Sequence, residues 1–194
     1  MKVAVIGTGY LGLVSGVCLA VKGHEVTCVD LKQDKVDRIN RGEPPIYEKG
    51  LEKLLNDVVG KNFRATVDLG QAVLDSELTL IAVGTPFDGE KIDLSYVQRV
   101  SEEIGDVLRI KDRYHAVVVN STVVPGTTEE MVLPLLEERS GKKAGEAFGV
   151  GMTPEFLREG EAITDFMYPD RIVLGGIDES TLEQLDKLYA VFPE

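Results

Sequence analysis

The sequence predicts an α/β fold in which a doubly wound, mostly parallel sheet carries helices on both faces. Short apolar runs typical of buried strands alternate with segments whose apolar residues recur at helical spacing. The stronger runs also end in small polar clusters, as strands do at the ligand-binding edge of a parallel sheet. Strands are predicted over residues 3–6, 25–29, 78–83, 116–119, 148–152 and 172–174, with a weaker one over residues 63–66.

The first polar cluster is a glycine-rich turn from Gly7 to Gly12 with the spacing GxGxxG. It follows the first predicted strand and opens a predicted helix over residues 13–22, which closes at Gly23. In this setting the glycines permit a tight turn, close approach of the backbone to a pyrophosphate and close helix–strand packing. The helix N-terminus favours the negative charge of that pyrophosphate. The alternative is a glycine-rich turn that binds nothing.

A carboxylate, Asp30, ends the second predicted strand. From this position an acidic side chain can bind both hydroxyls of a dinucleotide ribose, and it opposes a 2′-phosphate. The glycine turn and Asp30 together predict that the cofactor is NAD rather than NADP.

Composition excludes several classes of partner. The 194 residues suffice for one well-buried domain, and no apolar run approaches the length of a membrane span. The net charge of −12 argues against nucleic acid and anionic membrane surfaces as partners. Because the first predicted strand begins at residue 3, we expect no signal peptide and a cytoplasmic location.

The other reactive residue types lie away from the predicted ligand edge. His24 and His115 directly precede predicted strands, so both fall at the amino ends of the sheet and neither suits a catalytic base. Cys18 and Cys28 have apolar surroundings and are expected to be buried structural thiols. No Cys/His cluster has metal-site spacing, so we expect no metal.

Local signals predict the limits of the later helices. Asp93 is the predicted N-cap of a helix over residues 94–108, and Pro134 is predicted to kink or shorten the next one. Irregular, ligand-binding loops are predicted over residues 43–47 and 85–90. The predicted capping boxes are Thr127 with Glu130 and Ser180 with Glu183, the last helix ending at Pro193.

Polar residues follow the later predicted strands at the same edge of the sheet. The hydroxyls of Thr85, Ser121 and Thr122 could bind a ribose, a nicotinamide amide or a water, and the alternative is that they cap helices and turns. Glu155 and Glu159 are spaced to share one face of a helical turn, from which a carboxylate can position a water or accept a proton. On the residues alone, a solvated acidic helix start is the favoured interpretation of this pair.

Six motifs in this order resemble the NAD-binding domain of the UDP-glucose/GDP-mannose 6-dehydrogenases, which is a Rossmann-type domain. Any one motif could arise by chance, but the set spans nearly the whole chain and is highly specific. The motifs are Gly7-Thr8-Gly9-Tyr10-Leu11-Gly12, Pro45-Ile46-Tyr47-Glu48 with Gly50-Leu51, Val83-Gly84-Thr85-Pro86, Ser121-Thr122-Val123-Val124-Pro125-Gly126-Thr127, Pro154-Glu155-Phe156-Leu157-Arg158-Glu159-Gly160 and Pro169-Asp170-Arg171-Ile172.

The resemblance implies oxidation of the C6 hydroxyl of a UDP- or GDP-linked sugar to a carboxylate, as in polysaccharide biosynthesis. The family uses two NAD⁺, with a cysteine thiohemiacetal between the two hydride transfers, and the full-length enzyme is expected to be a homodimer. Thr122 and Glu155 would then handle the catalytic water and the proton. The residues implied for the sugar are Glu155, Phe156, Leu157, Arg158 and Glu159, and those implied for NAD are Gly7, Gly9, Tyr10, Leu11, Gly12, Asp30, Lys35, Thr85, Thr122 and Glu159.

The chain departs from the family pattern in two ways. Thr153 stands where the family has Asn, and the family's nucleophilic cysteine, substrate-anchoring lysine and nucleotide-binding half have no counterpart in residues 1–194. We therefore expect one NAD-binding domain over residues 1–194, without the central helix and C-terminal domain of the enzyme, and inactive alone.

Two alternative functions remain. One is a stand-alone NAD-binding module without turnover, which has no reason to retain the segment from Glu155 to Glu159. The other is an NAD-dependent dehydrogenase of the hydroxyacid type, which the absence of a histidine at the carboxyl edge disfavours.

Overall fold

Seven strands form one sheet in the computed structural model, which describes residues 1–192. The strands are β1 (Lys2–Ile6), β2 (Glu25–Val29), β3 (Phe63–Thr66), β4 (Leu78–Ile81), β5 (Ala116–Val119), β6 (Gly149–Met152) and β7 (Gly175–Gly176). Their order is β3-β2-β1-β4-β5-β6-β7, with the first six parallel and β7 antiparallel to β6. The strand order reverses at β1, and ligands bind at the carboxyl edge beside such a reversal.

Helices connect the strands. They are α1 (Tyr10–Val21), α2 (Gln33–Asn40), α3 (Leu51–Val58), α4 (Leu69–Asp75), α5 (Ser95–Ile110), α6 (Leu133–Ser140), α7 (Ala162–Met167) and α8 (Glu179–Tyr189), with a π-helical turn (Thr128–Val132) directly before α6. Among the described residues, no helix combines the length and apolar character that crossing a membrane requires.

The alternation of side chains along β1 divides the core between the two faces of the sheet. Val3 and Val5 pack in a cluster with buried residues of α1, α2, α3, α7 and α8. Ala4 and Ile6 pack on the opposite face with buried residues of α4, α5 and α6. Both faces of a central parallel strand are therefore covered, as its continuous apolar sequence predicts. The predicted fold class is confirmed.

Six of the seven predicted strands are present, but the strand predicted over residues 172–174 is wrong. Ile172 and Val173 are exposed, and the strand that pairs with β6 consists of Gly175 and Gly176. A Cβ on the facing Gly151 would lie 2.7 Å from the Gly175 carbonyl oxygen. Contact between glycine backbones, rather than the apolar side chains, therefore sets where this edge pairs.

Three predicted helix starts are also wrong. α1 begins at Tyr10, three residues before the predicted start, although it closes at Gly23 as predicted. The N-cap of α5 is Leu94, and Asp93, one residue earlier, accepts a hydrogen bond from the N–H of Ser95, the first residue of the helix. The N-cap of α8 is Asp178, whose carboxylate accepts from an N–H in the first turn, so the predicted box at residues 180–183 is not used. Pro193 lies outside the described residues.

The helix predicted after β5 is shortened at Pro134 as expected, but its predicted capping box is absent. The Thr127 hydroxyl donates to the Val124 carbonyl (2.7 Å) instead of accepting from the helix. Regular α-helix begins only at Leu133, after the π-helical turn. Proline lacks an N–H, and the chain before Pro134 widens into the π-helical turn rather than forming a regular α-helical turn.

Gly12→Ala is predicted to destabilise the domain by about 1–3 kcal/mol or more, since overpacking against backbone cannot relax through a rotamer change. A Cβ at Gly12 would lie 2.0 Å from the Gly7 carbonyl oxygen. Gly9→Ala is the matched control, because a Cβ there meets nothing within 4 Å. Urea unfolding followed by circular dichroism measures both. Equal midpoints for the two variants would contradict the prediction.

Candidate active site

Each glycine of the first turn has a different structural role. Gly7 has a φ of 105°, which places the chain close to the Ala82 carbonyl oxygen. Gly12 lets the first turn of α1 pack on the Gly7 carbonyl. Gly9, the N-cap of α1, is exposed and faces open space. A ligand can therefore approach the protein backbone at Gly9, where a side chain would intrude.

The first N–H groups of α1 face this opening without intrahelical acceptors. The first intrahelical bond is Leu13 N–H to the Gly9 carbonyl (3.1 Å), which leaves the N–H groups of Tyr10, Leu11 and Gly12 for other partners. No side chain caps the helix at Gly9. Free N–H groups at a side-chain-free helix start match the pyrophosphate of NAD.

Asp30 is half-buried beside the same turn and is already hydrogen-bonded. Its Oδ2 accepts from Lys35 Nζ (2.8 Å) and from the Thr8 hydroxyl, and its Oδ1 accepts from the Lys32 N–H (3.1 Å). Burial raises the pKa of Asp30, but the hydrogen bonds from Lys35 and Thr8 outweigh burial and hold the pKa below its ordinary value. Asp30 is therefore an ionised acceptor, and Oδ1 retains capacity for a ribose hydroxyl.

Two hydroxyls join the loops that follow β4 and β5. The Thr85 hydroxyl donates to the Thr122 carbonyl (2.6 Å), and the Ser121 hydroxyl donates to the Val83 carbonyl (2.7 Å). Neither side chain caps a helix. Thr122 itself is exposed at the end of β5, and its hydroxyl remains available to a ligand or water.

Thr153, where the sequence departs from the family pattern, is buried in the turn after β6. Its N–H donates to the Val119 carbonyl (3.0 Å), and its own carbonyl accepts from the Asn120 amide (2.7 Å). Its hydroxyl lies 3.5 Å from the Tyr189 phenol oxygen. The backbone of this turn is thus held by Val119 at the end of β5 and by Asn120 directly after it.

The segment from Pro154 to Gly160 is irregular, so the prediction that Glu155 and Glu159 share a helical face is wrong. The Glu155 carboxylate accepts a hydrogen bond from the Leu157 N–H, within its own turn. The Arg158 guanidinium forms two hydrogen bonds with the Asp165 carboxylate (3.0 and 2.6 Å), and the Arg158 N–H donates to the same group. Side chains satisfy these backbone groups, and they replace the bonds of a helix.

A cleft of about 450 Å³ opens between this segment, α7 and residues 168–172. Four of the five predicted sugar-binding residues line it, Glu155 to Arg158, whereas Glu159 is exposed outside it. The Arg171 guanidinium lies over the Phe156 ring, 4.4 Å from its centroid, and brings a positive charge to the wall. Within residues 1–192, Thr122 is not among the residues that line the cleft.

The thiols and histidines lie where the sequence predicts. Cys18 and Cys28 are free and fully buried, and burial raises the pKa of Cys18 to about 12 and that of Cys28 above its ordinary value. His24 and His115 are buried at the amino ends of β2 and β5. Burial lowers both histidine pKa values, that of His115 to about 3, so neither gains charge near neutral pH. The described residues contain no metal-binding group of His, Cys, Asp and Glu.

Residues that sequence reasoning left without a role also contribute to this site. Thr8 occupies a variable position of the glycine motif, yet it donates to Asp30. Glu48 belongs to the motif that begins at Pro45, and it contacts both Tyr10 and Gly160. These contacts join residues that are 22 to 112 positions apart, and no local spacing signals them.

A mostly parallel sheet with this strand order, a glycine turn after β1 and a carboxylate at the end of β2 defines a dinucleotide-binding domain of the dehydrogenase class. The description "UDP-glucose/GDP-mannose dehydrogenase family, NAD binding domain" matches residues 1–193, and the chain belongs to this family. Residues 1–193 thus correspond to the NAD-binding domain of that family.

Relatives of two substrate types are similar to the chain. A GDP-mannose 6-dehydrogenase of Pseudomonas aeruginosa is 47% identical over 193 residues, covering 97% of this chain and 44% of the relative. A UDP-glucose 6-dehydrogenase of Haloferax volcanii is 41% identical over 195 residues, covering 100% of this chain and 45% of the relative. A crystal structure of a ternary complex of the Pseudomonas aeruginosa GDP-mannose dehydrogenase superposes with a TM-score of 0.96 at 45% identity, over 99% of this chain and 44% of that one. The chain thus spans less than half the length of these relatives.

The domain is predicted to bind NADH at least about fivefold more tightly than NADPH, because Asp30 opposes a 2′-phosphate by about 1 kcal/mol or more. Lys35 forms an ion pair with the same carboxylate, and its positive charge offsets part of the repulsion, so the preference is modest. Asp30→Ala is expected to remove the preference, whereas Asp34→Ala, on the exposed first turn of α2, leaves it intact. Nicotinamide fluorescence titrations with NADH and NADPH measure the pair of affinities for each of the three proteins. Equal affinities in the unmodified domain would refute the role of Asp30.

Proposed function

We propose that this chain is the cofactor domain of an enzyme that oxidises the C6 alcohol of a UDP- or GDP-linked sugar to a carboxylate with two NAD⁺. The observation that carries the proposal is the cleft lined by Glu155 to Arg158 at the carboxyl end of β6. The glycine turn lies at the same edge of the sheet. An enzyme that transfers hydride must bring its substrate and cofactor together at such an edge.

The cofactor is proposed to lie along the carboxyl ends of β1, β2, β4 and β5. The N–H groups of Gly9 to Gly12 would hold the pyrophosphate, and Asp30 with Lys35 would hold the adenosine ribose. Thr85, Thr122 and Glu159 complete the proposed contacts on the nicotinamide side. When bound, NAD⁺ supplies the hydride acceptor.

Glu155 is the proposed proton acceptor. Oxidation of the C6 hydroxyl releases the hydroxyl proton, and a carboxylate in the cleft can take it directly or through one water. The hydrogen bond from the Leu157 N–H occupies Glu155 Oε2 and leaves Oε1 for that proton. The exposed Thr122 hydroxyl is proposed to hold the water.

The sugar is proposed to bind along Glu155, Phe156, Leu157, Arg158 and Glu159. Asp165 holds the guanidinium of Arg158 by two hydrogen bonds, which supports Arg158 as an organiser of the segment. Relatives acting on GDP-mannose and on UDP-glucose share 47% and 41% identity with this chain, so recognition of the base is proposed to reside in another part of the enzyme.

The relatives are more than twice as long as this chain, which supports a functional unit that needs further residues. Those residues are proposed to supply the nucleophilic thiol, the nucleotide-binding half and the contacts of a homodimer. A cytoplasmic role in polysaccharide biosynthesis is part of the same proposal. A hydroxyacid dehydrogenase is less well supported, because both histidines are buried at the amino edge.

The purified chain alone is predicted to bind NADH but to oxidise no nucleotide sugar. The covalent step on a cysteine needs an accessible thiolate, and burial raises the pKa of both Cys18 and Cys28. Absorbance of NADH at saturating NAD⁺ with UDP-glucose or GDP-mannose measures turnover. Activity that disappears with Cys18→Ser or Cys28→Ser would overturn this prediction.

In the enzyme that we propose contains this domain, Glu155→Gln is expected to lower turnover about 10²- to 10⁴-fold, as for loss of a general base. Stability and NADH affinity should persist, because the glutamine carbonyl oxygen can still accept from the Leu157 N–H. Glu161→Gln, on an exposed carboxylate just before α7, is the matched control. Equal turnover in the two variants would return Glu155 to the role of a surface carboxylate.

A further inference from the structure

A buried carboxylate, Glu48, lies between two segments of the proposed site. One is the glycine turn from Gly7 to Gly12, the cofactor turn, and the other is the segment from Pro154 to Gly160, the cleft segment. Glu48 is only 5% exposed, although it sits on the irregular loop that leads from α2 to α3. Buried carboxylates are rare and costly unless hydrogen-bond donors surround them. Glu48 Oε2 accepts from the Tyr10 phenol and from the Gly160 N–H (2.8 Å).

These contacts join three segments that are distant in sequence. Tyr10 is the first residue of α1, at the proposed pyrophosphate site, and Gly160 ends the segment that lines the cleft. The Gly160 N–H also lies 3.2 Å from the Tyr10 phenol oxygen, across 150 positions of sequence. The three groups therefore contact one another mutually.

Among the described residues, the other side-chain hydrogen bonds of the cleft segment do not reach the cofactor turn. The Arg158–Asp165 ion pair ties the middle of the segment to α7, and Glu155 bonds within its own turn. Glu48 thus joins the end of the segment, next to Glu159, directly to the first turn of α1. Burial and the contact with Glu48 raise the pKa of Tyr10 to about 12, so the phenol stays a donor throughout the neutral range.

We propose that Glu48 is a positioning residue that fixes Gly160, and with it Glu159, against the start of α1, and so couples cofactor binding to the order of the cleft segment. The inference rests on the proposed function, because it assigns the cofactor to the turn at Tyr10. Its physical basis is independent of the chemistry: one acceptor oxygen holds a donor from each of the two segments.

Three substitutions separate this role from simple stabilisation. Glu48→Ala removes the acceptor, whereas Glu48→Gln keeps a carbonyl oxygen that can accept both bonds. Tyr10→Phe removes the phenol and keeps the bond between Glu48 and Gly160. Glu43→Ala is the matched control, because Glu43 is exposed on the same loop and, among the described residues, its side chain hydrogen-bonds only Arg41.

The measurements are amide hydrogen exchange over residues 155–161, with and without NADH, and NADH affinity by nicotinamide fluorescence. In the unmodified chain NADH should slow exchange in this segment. Glu48→Ala should speed exchange about tenfold without NADH, abolish the slowing by NADH and weaken NADH binding about tenfold. Glu48→Gln and Glu43→Ala should behave like the unmodified chain, and Tyr10→Phe should lie between.

Unchanged exchange and affinity in Glu48→Ala would overturn the proposal, as would a Glu48→Gln variant as impaired as Glu48→Ala. If Glu48→Ala does not fold, exchange in Tyr10→Phe decides, and exchange equal to that of the unmodified chain counts against the proposal. Failure of the proposed function is separate, since it appears as an unmodified chain that binds no NADH.

Discussion

The contact between the Gly12 backbone and the Gly7 carbonyl is the constraint on which the rest of this structure depends. It sets how closely α1 can approach the end of β1, with no room for even a methyl group between them. With α1 this close, the Thr8 N–H just before the helix donates to Asp30, and Gly12 in its first turn lies beside Ala82, directly after β4. Tyr10 then reaches Glu48, and through it the end of the cleft segment. The loops at the ligand-binding edge of the sheet are thus all positioned relative to the start of α1.

Much of the fold could be predicted because apolar runs are a direct record of burial on both faces of a parallel sheet. The runs at β2, β3 and β5 coincide with their strands residue for residue. The apolar run at residues 172–174 was wrongly predicted to be a strand, because apolar residues can also line an open cleft, as Ile172 does. Helix starts were misplaced by one to three residues. At α8 a second acidic side chain, Asp178, offers the better cap. The N-caps of α1 and α5 are Gly9 and Leu94, which form no side-chain cap and therefore give no cap signal in the sequence.

The position of the candidate site could be predicted from topology alone, since residues that follow parallel strands gather at one edge. Its internal geometry could not. Glu155 and Glu159 have helical spacing, but Pro154, the ion pair of Arg158 with Asp165 and the left-handed Gly160 hold the segment in an irregular path. The bond between Glu48 and Gly160 spans 112 positions, and only the folded chain brings these residues together. Long-range hydrogen bonds of this kind leave no periodicity in a single sequence.

The proposed pyrophosphate cradle is made of backbone N–H groups, and the first turn of α1 carries no lysine or arginine. It is part of a chain whose net charge is −12. An anionic dinucleotide is therefore repelled at long range and held at short range by dipoles that salt screens only weakly. Moderate ionic strength should consequently speed cofactor association with this domain, the opposite of the behaviour of proteins that attract phosphates through basic surfaces.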